Sequence, residues 1–182
     1  MQEKLYTLNE DGSVSGLEYR DIVHKTGILH ATVQCWIRNA KGEVLLQRRS
    51  FTKAVGAGKW DVSFGGHCSE TSEADYIIAN VLKEGEEELG IKINPQHLLK
   101  LGEFRHISQQ NKNQEIITVF LLPAEDFPTY SFNDGEVSEI KWIRSEDLYQ
   151  TFMQDTVNYS NRLGAIRLLE LYDYGLNRNK NR

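Results

Sequence analysis

The chain has 182 residues and 40% of them are hydrophobic, which suits one domain with a full apolar core and leaves too little for a second independent one. Its two cysteines, Cys35 in an apolar run and Cys68 in a polar loop, exclude a disulfide framework and fit a reducing cytoplasm. A formal net charge of −5 argues against a nucleic-acid polymer or an anionic membrane surface as partner, and no run approaches the ~18 apolar residues of a membrane span. The start MQEKLYTLNEDG has no leader pattern, so a soluble, unprocessed cytoplasmic protein is the expectation. An acidic chain can still meet a small phosphorylated substrate if its carboxylates hold divalent metals that carry the positive charge.

Along the chain, residues 4–8 and 17–22 read as strands around the turn-rich NEDGS, an accessory pair that could also join two chains into a homodimer. Residues 30–38 and 43–49 read as a hairpin across the NAKG turn. A glycine-punctuated loop, AVGAGKW, then leads to a short apolar segment, DVSFGGH. Over residues 72–89, Ile77, Ile78, Val81, Leu82 and Leu89 recur at a helical period, with Ser72 or Thr71 as N-cap and Gly90 as the stop. Strands follow over 98–106, 116–122 and 139–143, Ser145 resembles the N-cap of a short helix, and 161–176 reads as a closing helix before a frayed basic tail at 177–182. This order predicts an α/β class, a sandwich with a mixed sheet in a single domain over 1–182.

The segment KEGEEELGI places Glu84 one turn before Glu87 and Glu88, so the three side chains share a helix face beside the apolar stripe. Clustered carboxylates repel one another, and divalent cations with oxygen ligands relieve that cost. A run of Glu on a helix is ordinary surface when taken alone, and the context upstream, Gly65-Gly66-His67, changes its meaning. With GGH before it and LGI after it, the run resembles the Nudix box, in which a glycine and a spaced glutamate precede REUxEExGU with U aliphatic.

Lys83 and Glu84 match RE, Glu87 and Glu88 match EE, and Gly90 and Ile91 match the end of the box. The resemblance implies a Nudix-type α/β/α sandwich, with Glu84, Glu87, Glu88 and the Gly66 carbonyl holding Mg2+ or Mn2+. Three features depart from the pattern. Lys83 keeps the charge of the arginine but not its fork. Gly85 stands where an aliphatic residue packs, and a longer loop leaves Asp75, Glu73 or Glu70 as the first acidic residue.

Residues 18–145 further resemble the branch that includes type I isopentenyl-diphosphate isomerase. His24, His30, His67 and Glu115 occupy places like those of the isomerase metal ligands, while each histidine could equally be a buried, hydrogen-bonded residue. The isomerase cysteine position is Gly65, and Cys68 lies beyond His67, so the hydrolase cousins are the better match. The reading is a metal-dependent hydrolase of a diphosphate linkage, in a nucleoside diphosphate derivative or similar. Glu115 or a box glutamate accepts the proton of the attacking water, and Arg49 and Lys53 bind phosphate. Trp60 reads as core, and residues 105–114 and 124–138 are candidates for substrate specificity. An isomerase and an inert binding module are the alternatives.

Overall fold

A computed structural model of the chain describes residues 2–109, 112–127, 129–132 and 135–180. Its axis is β3 (Leu29–Arg38), whose near-continuous burial reflects cover on both faces. Strand β8 (Asn113–Pro123) runs parallel to it from Leu29↔Gln114 to Arg38↔Pro123, and β7 (Leu99–Ser108) pairs antiparallel with β8. On the other edge of β3 lie β6 (Phe64–His67), opposite residues 32–35, and β1 (Lys4–Leu8), which touches it at Thr7↔His30. The remaining strands are β2 (Val14–Tyr19) beside β1, and β5 (Trp60–Asp61) and β9 (Val137–Arg144) beside β4 (Glu43–Arg49).

Alternation along β3 and β8 sorts two cores. Ala31, Val33, Cys35, Ile37, Phe120 and Leu122 meet Val81 and Leu89 of α2 (Tyr76–Leu89). Trp36, Ile117, Val119 and Leu121 meet Leu148 and Phe152 of α3 (Leu148–Gln154) and Ile166 and Leu169 of α4 (Leu163–Lys180). The molecule is therefore an α/β sandwich with a mixed sheet, as the element order implies. Among the described residues no helix is long and apolar enough to cross a membrane.

Four local expectations change. Strand β2 ends at Tyr19, and residues expected in it start α1 (Arg20–Thr26), which buries Val23 and closes at Gly27 with φ 78°. The NAKG turn forms, with Asn39 Oδ1 accepting from the N–H groups of Lys41 and Glu43, but β3 and β4 pair only at Arg38↔Val44. The expected hairpin is thus splayed, because β3 satisfies its backbone with β6 and β8 while β4 turns to β9 and β5. Ser145 opens a 3-10 turn leading into α3, and its hydroxyl donates to Asp173 Oδ2 instead of capping. The closing helix runs past Leu176 to Lys180, and residues 181–182 lie outside the described residues.

The cap of α2 also moves. Asp75, not Ser72 or Thr71, accepts from the N–H groups of Ile77 and Ile78, each at 3.1 Å. Two otherwise orphaned helix donors are satisfied this way. Asp75→Ala is expected to lower stability by about 1 kcal/mol in urea titration. Turnover of that variant at the wild-type level would confirm that Asp75 serves the helix and not the metal.

Candidate active site

Helix α2 lies against β6 so that its carboxylates point at Gly65 and Gly66. Glu88 is 3% exposed, and its Oε2 accepts from Gln47 Nε2 at 2.8 Å and from the Gly65 N–H at 3.1 Å. The carboxylate thereby bridges β4 and β6. Glu84, 9% exposed, rests on Gly66 so closely that any Cβ there would overlap its carboxylate. Burial pushes Glu84 up to about 7, against the opposing pull of Lys83. Burial and then Glu84 push Glu88 up to about 8, against the two N–H donors. Glu87, expected on the same face, is exposed at the rim.

Both departures within the box have a local counterpart. Lys83 Nζ lies 3.8 Å from Glu84 and 3.6 Å from Glu87, and donates to Ser69 Oγ at 3.2 Å, so a point charge spans both carboxylates without a fork. At Gly85 a Cβ would come within 2.6 Å of Ile93 Cδ1 and 3.3 Å of Ile91 Cγ1. Ile93 reaches back from beyond the helix and fills the space of the missing aliphatic side chain. Gly85→Leu is therefore expected to overpack this corner and lower stability by about 1–3 kcal/mol. Gly85→Leu with Ile93→Ala should recover most of that in urea titration.

A second cluster forms from three elements. His24 of α1, His30 of β3 and His67 of β6 bring ligand atoms within 4.8 Å of one another, the one such group among the described residues. Glu115 Oε1 lies 3.8 Å from His30 Nε2 and accepts from Asn113 Nδ2 at 2.9 Å. His30 Nδ1 sits 2.9 Å from the Ile28 carbonyl, while His30 Nε2, His67 Nε2 and Asn113 Oδ1 are buried without a hydrogen-bond partner. Burial lowers the pKa of all three imidazoles, His67 well below the usual range, which keeps them in the neutral form that can ligate a metal. Glu115 thus stands with the histidines.

The strand residues separate as alternation predicts. Arg49 donates through Nε and Nη2 to the Val55 carbonyl and lies 3.8 Å from Asp61. Arg48 turns instead to Gly58, Glu139 and the Phe51 ring. Lys53 pairs with Glu136, and its charge acts on His67. Trp60 packs on the second core under Lys141, whose Nζ is 4.0 Å above its ring. Glu70 and Glu73 stand exposed on the loop before α2. Cys68 is buried in the first core, where burial pushes its thiol up. At Gly65 a Cβ would overlap the Val33 carbonyl, so this backbone has no room for a side chain. Sequence reasoning missed Gln47, Asp61 and Arg162, whose partners are far away along the chain.

A NUDIX domain family model matches residues 28–162. Isopentenyl-diphosphate Delta-isomerase 1 of Photorhabdus laumondii subsp. laumondii is 32% identical over 124 residues, covering 67% of this chain and 68% of the relative. An uncharacterized Nudix hydrolase of Clostridium acetobutylicum is 26% identical over 154 residues, 81% of this chain and 72% of that protein. In fold, the crystal structure of DR0079 from Deinococcus radiodurans matches with a TM-score of 0.71 at 24% identity, covering 93% of this chain and 99% of that one. The MutT protein of Methanosarcina mazei matches with a TM-score of 0.61 at 24% identity, covering 81% and 94%.

Proposed function

Because the chain belongs to the Nudix family, we propose that it is a hydrolase that uses Mg2+ or Mn2+ to cleave a diphosphate linkage in a small phosphorylated substrate, such as a nucleoside diphosphate derivative. The observation that carries this reading is the pair Glu84 and Glu88, buried side by side against Gly66 and Gly65. Two buried carboxylates held up at about 7 and about 8 suit a cation, because a positive charge offsets their mutual repulsion and lost hydration. Glu87 at the rim and the carbonyl of Gly66 would complete the oxygen set. The cation, when bound, supplies positive charge against the diphosphate and a Lewis acid for the attacking water.

The protein's own groups provide the rest. Gln47 and the Gly65 N–H fix Glu88, and Lys83 restrains Glu84 and Glu87. Glu115, which accepts from Asn113 through Oε1, is the candidate to accept the water's proton. Arg49, beside Asp61, and Lys53, paired with Glu136, would serve as the anion contacts.

Isomerisation of an allylic diphosphate is the second reading, favoured by the isomerase-named relatives and by the assembled His24, His30, His67 and Glu115. Against it, Gly65 offers neither a cysteine nor space for one, and Cys68 faces the apolar core. The compensations at Lys83 and Gly85 weaken the case for an inert binding module. A screen of nucleotide, sugar-nucleotide, isoprenoid and cofactor diphosphates, read as release of phosphomonoesters, phosphate or pyrophosphate, tests the proposal. Release with Mg2+ or Mn2+ that stops in EDTA is expected. Tight binding of one compound with no turnover of any would favour the module.

A further inference from the structure

Asp61 is a carboxylate 1% exposed at the end of β5, and it faces two guanidinium groups. Arg162 Nε lies 2.5 Å from its Oδ1 and Nη2 2.8 Å from its Oδ2, a side-on bidentate pair. Arg49 Nη1 stands 3.8 Å from Oδ2. Two cations share one buried anion, which leaves a surplus positive charge at a place that is not fully solvated. The side-on pairing engages Nε and Nη2 of Arg162, so its Nη1 donors point elsewhere.

Burial would lower the pKa of Arg162, but Asp61, and after it Glu115 and Glu88, raise it. On the Glu88 side, Gln47 donates to Glu88 and is the β4 partner of Asp61. The strap that fixes Arg162 is backbone: Trp60 N–H donates to the Asn158 carbonyl and Ser160 N–H to the Trp60 carbonyl. Arg162 immediately precedes α4, so the helix N-terminus adds partial positive charge at the same point.

We propose that Arg162 is a substrate-binding residue, which with Arg49 grips a phosphoryl group of the diphosphate beside the Glu84/Glu88 pair, while Asp61 positions both guanidiniums. This rests on the diphosphate reading above and adds a contact from the C-terminal part of the chain. Arg162 touches the phosphoryl group, and Asp61 acts only through the arginines.

Binding of methylenediphosphonate, a non-hydrolysable diphosphate, to the full chain in EDTA tests the site without turnover. Calorimetry should show binding by the wild type, weakened about tenfold or more in Asp61→Asn/Arg162→Gln, which removes the buried charge pair as a unit. Arg162→Lys should weaken it several-fold and raise KM far more than it lowers kcat, since lysine meets Asp61 but lacks the second set of donors. Arg48→Gln, on the opposite face of β4, should bind as the wild type. No binding by the wild type, or undiminished binding by Arg162→Lys, overturns the proposal whether or not the double variant folds. If Arg162-dependent binding occurs with no turnover of any diphosphate, the hydrolase reading fails and this site stands. If a diphosphate is turned over and its KM is unchanged in Arg162→Lys, the hydrolase reading stands and this site fails.

Discussion

Glu84→Gln with Glu88→Gln is expected to fold as the wild type does and to lose diphosphate hydrolysis by on the order of 10³-fold. The amide keeps the shape of each side chain, and at position 88 its oxygen can still accept from Gln47 and the Gly65 N–H. What disappears is the paired negative charge that would hold a divalent cation beside Gly66. Glu87→Gln alone should cost less, because Glu87 is exposed at the rim. Turnover with Mg2+ or Mn2+, alongside circular dichroism, checks both halves of the expectation. A double variant as active as the wild type would remove the glutamates from the chemistry.

The same pair predicts an inverted pH dependence of stability in metal-free protein. Both carboxyls have ordinary values of 4.5, and in the fold they stand at about 7 and about 8. As pH rises above 4.5, the unfolded chain releases these protons while the folded chain keeps them. The folded state then binds more protons, so stability falls with rising pH and levels off only above about 8. In EDTA the wild type should lose several kcal/mol relative to Glu84→Gln/Glu88→Gln between about pH 5 and pH 8.5. Urea titrations of both proteins at the two pH values measure this difference. Mg2+ or Mn2+ should return it mainly at the upper pH, where the ligands are deprotonated. Parallel behaviour of the two proteins would show that the carboxylates are not held at raised values.

Much of this frame is written in local pattern. The apolar run of β3, the helical stripe ending at Gly90 and the Glu84, Glu87 and Glu88 spacing are short-range signals; β3 and the stop at Gly90 form where they are read, while α2 begins at Tyr76 and not at residue 72. The turn at Asn39 is equally local, yet it says nothing about how far the strands stay together. Their splay follows from the competition of β6, β8, β5 and β9 for the same backbone groups. Because β3 and β4 part, Glu88 can reach Gln47 and Gly65 at once.

Other parts of the site depend on contacts that no window of sequence contains. Asp61 and Arg162 are 101 residues apart and meet because Trp60 and Tyr159 form a bridge. Gly85 reads as a defect in the box until Ile93 is seen to occupy its space. Asp75 does not read as a cap, since the helical pattern is taken from residue 72 and the family pattern draws Asp75 towards metal binding. Gly65 shows the converse. Its identity argues against an isomerase, and the overlap a Cβ would make with Val33 supplies the steric reason.

The central claim is that water attacks phosphorus at this site, and turnover in ¹⁸O-labelled water tests it most directly. With Mg2+ or Mn2+ and a diphosphate from the screen, one product phosphoryl group should carry one labelled oxygen, and EDTA should stop incorporation. Consumption of an isoprenoid diphosphate by double-bond migration without label, or no turnover of any diphosphate under these conditions, would contradict it.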